Sequence, residues 1–288
     1  MLTIRDIAQP ETLTEAYQIL TKQRTNTVLG GCAFLRLGSK RIGIGIDLAK
    51  LNLDQITEED DAIKLGAMTT LRQIETHPLL KESFCGVLPK AVNNIIGVQF
   101  RNGVTIGGSV YSKYGFSDPI TALLALNAEV DLVKAGRLSL GEFLARPREK
   151  DILTHVIIPK QGQIASYQNL RISASDYPVL TAAVAKKGED WRIVVGARPQ
   201  VAELASEASA QLAQAYAQAK LDSLTIAGEK NEANEVFEVN EVLESILDQM
   251  SQELSFGSNA RGSATYRQGI AKVLVRRGIQ EVLAWTSK

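Results

Sequence analysis

Hydrophobic and polar positions along the chain change their period several times, and each change predicts an element. Ala16, Ile19 and Leu20 recur at helical spacing behind Thr12 and Thr14, so a helix capped by one of these threonines is expected over Glu15–Gln23. Thr27–Leu29 reads as a short strand running into Gly30-Gly31. Cys32–Leu37 has helix-forming side chains and ends at Gly38, a C-cap residue. Ile42, Ile44 and Ile46 alternate with Gly43, Gly45 and Asp47, the period of a strand with one closely approached face. Ala62–Ala67 predicts another strand, and Thr70 with Gln73 forms a capping box for the helix after it.

Arg101–Ser109 supplies a turn, a short extended piece and a second Gly-Gly, Gly107-Gly108. Asp118 before Pro119 predicts a helix with Asp at N-cap and Pro at N1, its buried face made by Leu123, Leu124 and Leu126. Glu129–Leu140 predicts a hairpin turning at Ala135-Gly136, and Ile152–Ile158 a strand closed by Pro159. Beyond residue 160, Val179–Ala185 and Trp191–Ala197 are apolar runs joined by Lys186–Asp190, an antiparallel hairpin. Helices are expected over Val201–Lys220, Glu235–Leu254 and Ala264–Arg277, with a polar loop over Ile226–Asn234. Gly162–Ile164 is the expected linker. Strands followed by helices, without strict alternation, give α+β in both parts.

Length and composition narrow the function. A chain of 288 residues suits about two domains. Lys plus Arg and Asp plus Glu are 32 each, so no overall field draws nucleic acid or an anionic membrane. Met1–Pro10 lacks the apolar run of a signal peptide, no segment is long and apolar enough for a bilayer, and Cys32 and Cys85 make no disulfide framework. A cytoplasmic protein without nucleic-acid or membrane partners is expected. Two cysteines and two histidines, His77 and His155, are too few and too scattered for an iron–sulfur cluster or a structural zinc, so no metal is expected in this chain. Neither histidine has a Ser, Cys or carboxylate neighbour that suggests a triad, and no catalytic side chain is assigned.

Candidate chemistry lies in the two glycine pairs. Gly-Gly after a strand lets the backbone take positive φ and approach a ligand with no Cβ in the way, and a helix that follows aims unpaired N–H groups at the same spot. Leu29-Gly30-Gly31-Cys32-Ala33-Phe34 has this form, and Thr105-Ile106-Gly107-Gly108-Ser109 adds two hydroxyls. Two such turns suit a ligand with two phosphates; one alone is more often simply a tight turn, and for the two together both readings stay open. No G-x-G-x-x-G after a strand and no P-loop occurs. Cys32 at a helix N-terminus would have a favoured thiolate, or it is a small buried filler. Arg276-Arg277 is expected at the C-terminus of the last helix, a favourable dipole position.

At these residues the chain resembles the FAD-binding medium subunit of molybdenum hydroxylases, the group of xanthine dehydrogenase and carbon monoxide dehydrogenase. The family's first loop, approximately A-G-G-T-D-L, corresponds to Leu29–Leu35; its second, approximately I-R-N-x-G-T-I-G-G-N, to Phe100–Ser109, followed by Ser117-Asp118 and Leu123–Leu126. Ile46-Asp47-Leu48, Leu65–Thr70, Ile152–Pro159 and Ser263–Arg267 extend the similarity over nearly the whole chain. The resemblance implies a vanillyl-alcohol-oxidase-type (PCMH-type) FAD-binding fold over residues 1–161, in subdomains of about 1–55 and 56–161. A C-terminal α+β domain over 162–288, with a small antiparallel sheet and helices, would complete it. FAD would be held by Leu29, Gly30, Gly31, Cys32, Ala33 and Phe34 with Thr105, Gly107, Gly108 and Ser109. Asp118 would accept a hydrogen bond from an adenosine or ribityl hydroxyl of FAD, or simply cap its helix. Tyr111 and Tyr114 would cover the flavin ring or pack.

The implied partners are a molybdopterin-binding large subunit and a two-cluster iron–sulfur small subunit, with NAD as the usual electron acceptor. Three segments depart from the family pattern. Cys32 and Ala33 replace Thr and Asp, Ser109 replaces Asn, and Tyr167-Gln168-Asn169-Leu170-Arg171 lacks a Lys that many relatives carry. These departures motivate a rival reading, a flavin-free assembly protein that keeps the fold.

Overall fold

In the computed structural model residues 1–218 and 233–286 are described, with the backbone alone for 233–240. The loop expected over Ile226–Asn234 lies outside the described residues up to position 232. The chain forms two compact units. The first comprises Met1–His77, Val92–Lys113 and Asn127–Lys160; the second comprises Pro78–Ala91, Tyr114–Leu126 and Gln161–Lys288.

The first unit holds two sheets. One is parallel, in the order Thr3–Ala8, Arg41–Asp47, Thr27–Leu29. The helix Leu13–Lys22 lies between the outer strands in sequence, capped by Thr12, whose hydroxyl accepts from the Glu15 amide. Ala16 and Leu20 on its inner face join Ile46, Leu48, Leu53 and Ile152 in one core cluster. Each branched side chain buried there contributes about 1.5–3 kcal/mol over its exposed state. The alternation predicted at Ile42–Asp47 is observed. A Cβ on Gly45 would lie 2.8 Å from Leu29 Cδ1, so the Leu29 side chain packs directly over this glycine.

The second sheet is antiparallel throughout, in the order Ile56–Glu58, Ala62–Gly66, Leu153–Pro159, Glu129–Leu132, Gly136–Ser139. Its hairpin turns at Gly136, with φ +71°, where the sequence placed it. Lysines plug helix C-termini in this unit. Lys150 Nζ donates to the carbonyls of Leu20, Gln23 and Asn26, beyond the end of Leu13–Lys22. Lys113 Nζ donates to Phe143 and Arg146 at the end of Leu140–Ala145. Burial pushes both ammonium groups below the usual lysine range, and at Lys113 the nearby Arg148 and Arg146 act in the same direction.

The second unit is built on an antiparallel sheet in the order Glu203–Leu204, Asp190–Gly196, Pro178–Lys187, Ile164–Arg171. Pro178–Lys187 is buried at every position but Lys187, because both of its faces are covered. Leu180, Ala182 and Val184 pack with Leu247, Leu274 and Val275 of the long helices Ala233–Glu253 and Ala264–Thr286. From the other face, Thr181 meets Thr121 of the helix Asp118–Ala125, hydroxyl to hydroxyl at 2.9 Å. All eight residues of that helix are buried.

Several element boundaries differ from the sequence reading. The helix expected from Val201 begins at Ser206, because Glu203–Leu204 pairs with Val194 and Val195 as an edge strand. The last helix continues to Thr286, so Arg276-Arg277 sits mid-helix rather than at a C-terminus, and Arg276 pairs with Glu244. The helix expected over Cys32–Leu37 shrinks to one 3-10 turn, Leu35–Leu37. The Asp118 helix is capped by Ser117 without a side-chain bond, which puts Asp118 at N1.

Candidate functional site

The strand Thr27–Leu29 delivers the chain into a sharp bend. Gly31 at φ +63° and Cys32 at φ +53° are both left-handed, and the Cys32 amide donates to the Gly30 carbonyl at 2.7 Å. No helix can start at Cys32 in that conformation, which is why the expected helix is lost. A Cβ on Gly31 would lie 2.1 Å from the Gly103 carbonyl oxygen. Among the described residues the amides of Gly31 and Ala33 have no acceptor, so two donors remain in an irregular bend. Successive amides arranged in this way are able to bind anions.

The second glycine pair is built differently. Thr105 is the N-cap of the short helix Ile106–Tyr111, and its hydroxyl accepts from the Gly108 amide at 3.1 Å. Gly107 and Gly108 therefore lie in a first helical turn, not in the turn with an extended piece that the sequence suggested. Their amides are already used, Gly107 N–H donating to Ala67 O at 2.8 Å. A Cβ on Gly107 would sit 2.6 Å from both the Ala67 carbonyl oxygen and the Ala67 Cβ.

The two pairs touch. A Cβ on Gly108 would lie 2.8 Å from the Gly30 carbonyl oxygen, and one on Gly30 would lie 3.1 Å from Thr105 Oγ1. Leu29–Phe34 and Thr105–Ser109 thus form one patch of the first unit, with the glycines facing each other. Ser109 donates its hydroxyl inward to Thr105 O at 3.0 Å. Burial pushes the Cys32 thiol up, and Asp47 pushes it further. The thiolate that a helix N-terminus would have favoured is therefore disfavoured here.

Arg101, which sequence reasoning left without a role, holds the second segment in place. Its guanidinium forks onto Glu75, Nε to Oε2 at 2.8 Å and Nη2 to Oε1 at 2.9 Å, while Nη1 donates to Ile95 O at 3.1 Å. Burial pushes the Glu75 carboxyl up, but the bonds from Arg101 and Arg72 outweigh it and hold it below the ordinary range. The signal in the sequence was an Arg directly before a loop, with no residue of opposite charge near it in the chain. The partner, Glu75, comes from the helix Leu71–Thr76, where the predicted Thr70–Gln73 capping box is present.

Asp118 belongs to the second unit. It is 4% exposed, and Oδ1 accepts from Tyr167 Oη and Arg171 Nη2, both at 2.5 Å. Burial raises its carboxyl and more than offsets the pull of Arg171, while burial and Asp118 together raise the Tyr167 hydroxyl well above its usual value. The side chain turns from the cap position toward this pair, and so Asp118 does not cap its helix.

Tyr111 and Tyr114 both pack. Tyr111 donates to Glu149 O and accepts from the Asp151 amide, and Tyr114 stacks on Phe116 at 5.1 Å. A cavity of about 40 Å³ beside Tyr111, Lys113 and Phe143 holds a water or two, not a nucleotide. Burial lowers the His155 imidazole below its ordinary range. Among the described residues no group of three His, Cys, Asp or Glu side chains is placed to hold a metal. No described helix is long and apolar enough to cross a membrane.

Residues 3–161 match the family described as FAD binding domain in molybdopterin dehydrogenase, and residues 233–282 match the CO dehydrogenase flavoprotein C-terminal domain. The chain is 25% identical to the nicotine 6-hydroxylase medium subunit of Paenarthrobacter nicotinovorans, covering 97% of each. It is also 25% identical to the glyceraldehyde dehydrogenase medium chain of Sulfolobus acidocaldarius, covering 94% of this chain and 96% of that one. In fold it is similar to carbon monoxide dehydrogenase from Hydrogenophaga pseudoflava, with a TM-score of 0.79 at 21% identity and 97% of each chain covered. Quinoline 2-oxidoreductase from Pseudomonas putida 86 gives a TM-score of 0.78 at 20% identity, covering 99% of this chain and 97% of that one. The α+β, PCMH-type fold expected from the sequence is the fold found.

Proposed function

The chain belongs to the FAD-binding family of molybdopterin dehydrogenases, an oxidoreductase subunit, and on that premise we propose that it carries FAD in an electron relay. The relay would run from the iron–sulfur clusters of a small partner subunit, fed by a molybdopterin-binding large subunit, through FAD to NAD or another acceptor. The observation that carries this reading is the meeting of the two glycine segments, Gly108 against the Gly30 carbonyl. Contact between the segments makes Leu29–Phe34 and Thr105–Ser109 one surface able to grip one diphosphate.

In this reading the amides of Gly31 and Ala33 donate to phosphate oxygens. Gly30, Gly107 and Gly108 act one step back, by letting the two backbones close on each other. Asp118 accepts from a flavin hydroxyl, with Tyr167 and Arg171 fixing its carboxylate. When bound, FAD supplies the hydride and single-electron chemistry, and the protein orients it and tunes it. Along the sequence we take 1–161 as the flavin-binding part and 162–288 as the C-terminal part. The two interleaved spatial units do not follow that division segment by segment.

The test is the flavin absorbance of the purified chain, expressed as FAD per polypeptide, before and after incubation with FAD. A ratio near one supports the reading. A ratio near zero after incubation favours the flavin-free assembly protein, for which Cys32 and Ala33 in the first bend are the motive. Cys32→Thr with Ala33→Asp, which restores the family pattern, is expected to raise retention.

A further inference from the structure

Charge is unevenly matched around the small cavity beside Tyr111. Three cations line it, Lys113, Arg146 and Arg148, and among the described residues none of them is ion-paired. Lys113 is only 9% exposed. Its Nζ donates to the carbonyls of Phe143 and Arg146 and lies 4.2 Å from the centre of the Phe143 ring. The third N–H of that ammonium has no acceptor among the described residues. Arg148 spends one bond on the Ser112 carbonyl, and the Arg146 side chain makes none among the described residues.

Glu149 and Asp151 also line the cavity, but each is committed elsewhere. Asp151 accepts from the amides of Lys134 and Ala135 with its two oxygens, and Oδ1 takes the Ile152 amide as well. Glu149 is exposed and lies 3.9 Å from Lys134 Nζ. Glu142, another acid near Arg146, is held by Ser139 in a capping box. Burial, then the charges of Arg148 and Arg146, lower the Lys113 ammonium, and no carboxylate opposes them. Over the lining three positive charges meet two negative ones, an excess of one. A buried charge left without a counter-charge is costly, and a monovalent anion would cancel it. Volume sets the size of that anion. About 40 Å³ admits one or two waters or a halide ion, and not a phosphate ester. Leu132, Leu138 and Phe143 supply apolar wall, so the cations would act on a bound ion with little water between.

We propose that this cavity binds a small monovalent anion of halide size, held by Lys113 Nζ and the guanidinium groups of Arg146 and Arg148. The inference stands apart from the flavin reading and does not depend on it. Such a site joins two segments. Arg148 already reaches the Ser112 carbonyl and the Tyr111 hydroxyl donates to Glu149 O, which fastens residues 146–151 to the end of the helix Ile106–Tyr111. The first turn of that helix carries Gly107 and Gly108. An anion shared by Lys113 on one segment and by Arg146 and Arg148 on the other adds a further fastening, and stabilises the folded chain by mass action. A nucleotide is excluded by volume, and a metal cation by the excess of positive charge.

The test follows the melting temperature of the purified full-length chain as sodium bromide replaces sodium gluconate at constant ionic strength, gluconate being too large for the cavity. Wild type is compared with Arg146→Gln/Arg148→Gln, both exposed positions, and with Lys113→Met. We expect bromide to raise the wild-type melting temperature by about 2–4 °C once it exceeds its Kd about fivefold. In the double variant the midpoint of that rise should move up by about tenfold or more. Crystals grown in sodium bromide should show an anomalous peak beside Lys113 Nζ. A folded Lys113→Met should not respond to bromide; if it does not fold, the double variant decides. No response in wild type, or an equal response in wild type and double variant, overturns the site. An anomalous peak without a shift in melting temperature is binding at crystal concentration only, and overturns it too.

Discussion

The bend after Thr27–Leu29 and the segment Thr105–Ser109 both spell Gly-Gly, but glycine serves a different need in each. In the first, Gly31 takes a left-handed φ that turns the chain and leaves amides unpaired. In the second, Gly107 and Gly108 are ordinary helical residues whose amides are bonded, and glycine is required because Ala67 and Gly30 crowd the positions of their missing Cβ atoms. The lesson is that two glycine pairs meeting in one patch need not serve the same purpose, and in the proposed FAD site only the first would touch the ligand. One pair shapes the donor surface and the other lets it close.

Substitutions test that division. A large loss is expected for Arg101→Ala, which removes both guanidinium bonds to the half-buried Glu75 and leaves it Arg72 alone: about 3 kcal/mol, read by urea denaturation, with FAD lost alongside. The same pair sets a pH signature. The Glu75 carboxyl is held below its ordinary range, so its stabilisation is present above the unfolded value of about 4.3 and is lost as pH falls through the folded value. The stability gap between wild type and Glu75→Gln should therefore narrow from pH 5 toward pH 3. A gap that widens would contradict the pairing.

Gly31→Ala is comparable, at roughly 1–2 kcal/mol for the left-handed backbone and about 1–3 kcal/mol more for the Cβ pressed on the Gly103 carbonyl, with FAD per polypeptide down at least tenfold. Gly107→Val comes next, at about 1–3 kcal/mol of overpacking against Ala67, seen as a lower melting temperature whether or not flavin is present. FAD retained in folded Gly31→Ala but lost in folded Gly107→Val would reverse the roles. The smallest effect belongs to Gly103→Ala. A Cβ there meets nothing within 4 Å and φ is not left-handed, so a stability gain of about 0.4–1 kcal/mol is expected, measured by thermal melting.

Most elements could be read from local periodicity. Ile42–Asp47, the Gly136 hairpin, the Thr70–Gln73 capping box and the Val179–Ala197 hairpin each carry their pattern within a few residues. What failed was decided by distant partners. Asp118 left its cap position for Arg171 and Tyr167, some fifty residues on, and Arg101 found Glu75 one helix away. Cys32–Leu37 contains good helix formers, but the approach of Gly103 holds the bend at Gly31 and Cys32 in a conformation that cannot start a helix. For the candidate site, the sequence singled out both segments, but only three dimensions show that Gly30 and Gly108 face one another.

Weaving of the chain between the two units has a consequence for its synthesis. The helix Asp118–Ala125 is buried along its whole length and packs on Pro178–Lys187 and Asp190–Gly196, the first of which begins 53 residues after its end. On the ribosome this segment emerges well before the surface it covers, and an apolar helix waits in solvent until Pro178–Gly196 has been made. A gene cut after residue 161 would fix that waiting state permanently. The resulting fragment should express as aggregate, and supplying residues 162–288 as a separate polypeptide in the same cell should restore solubility.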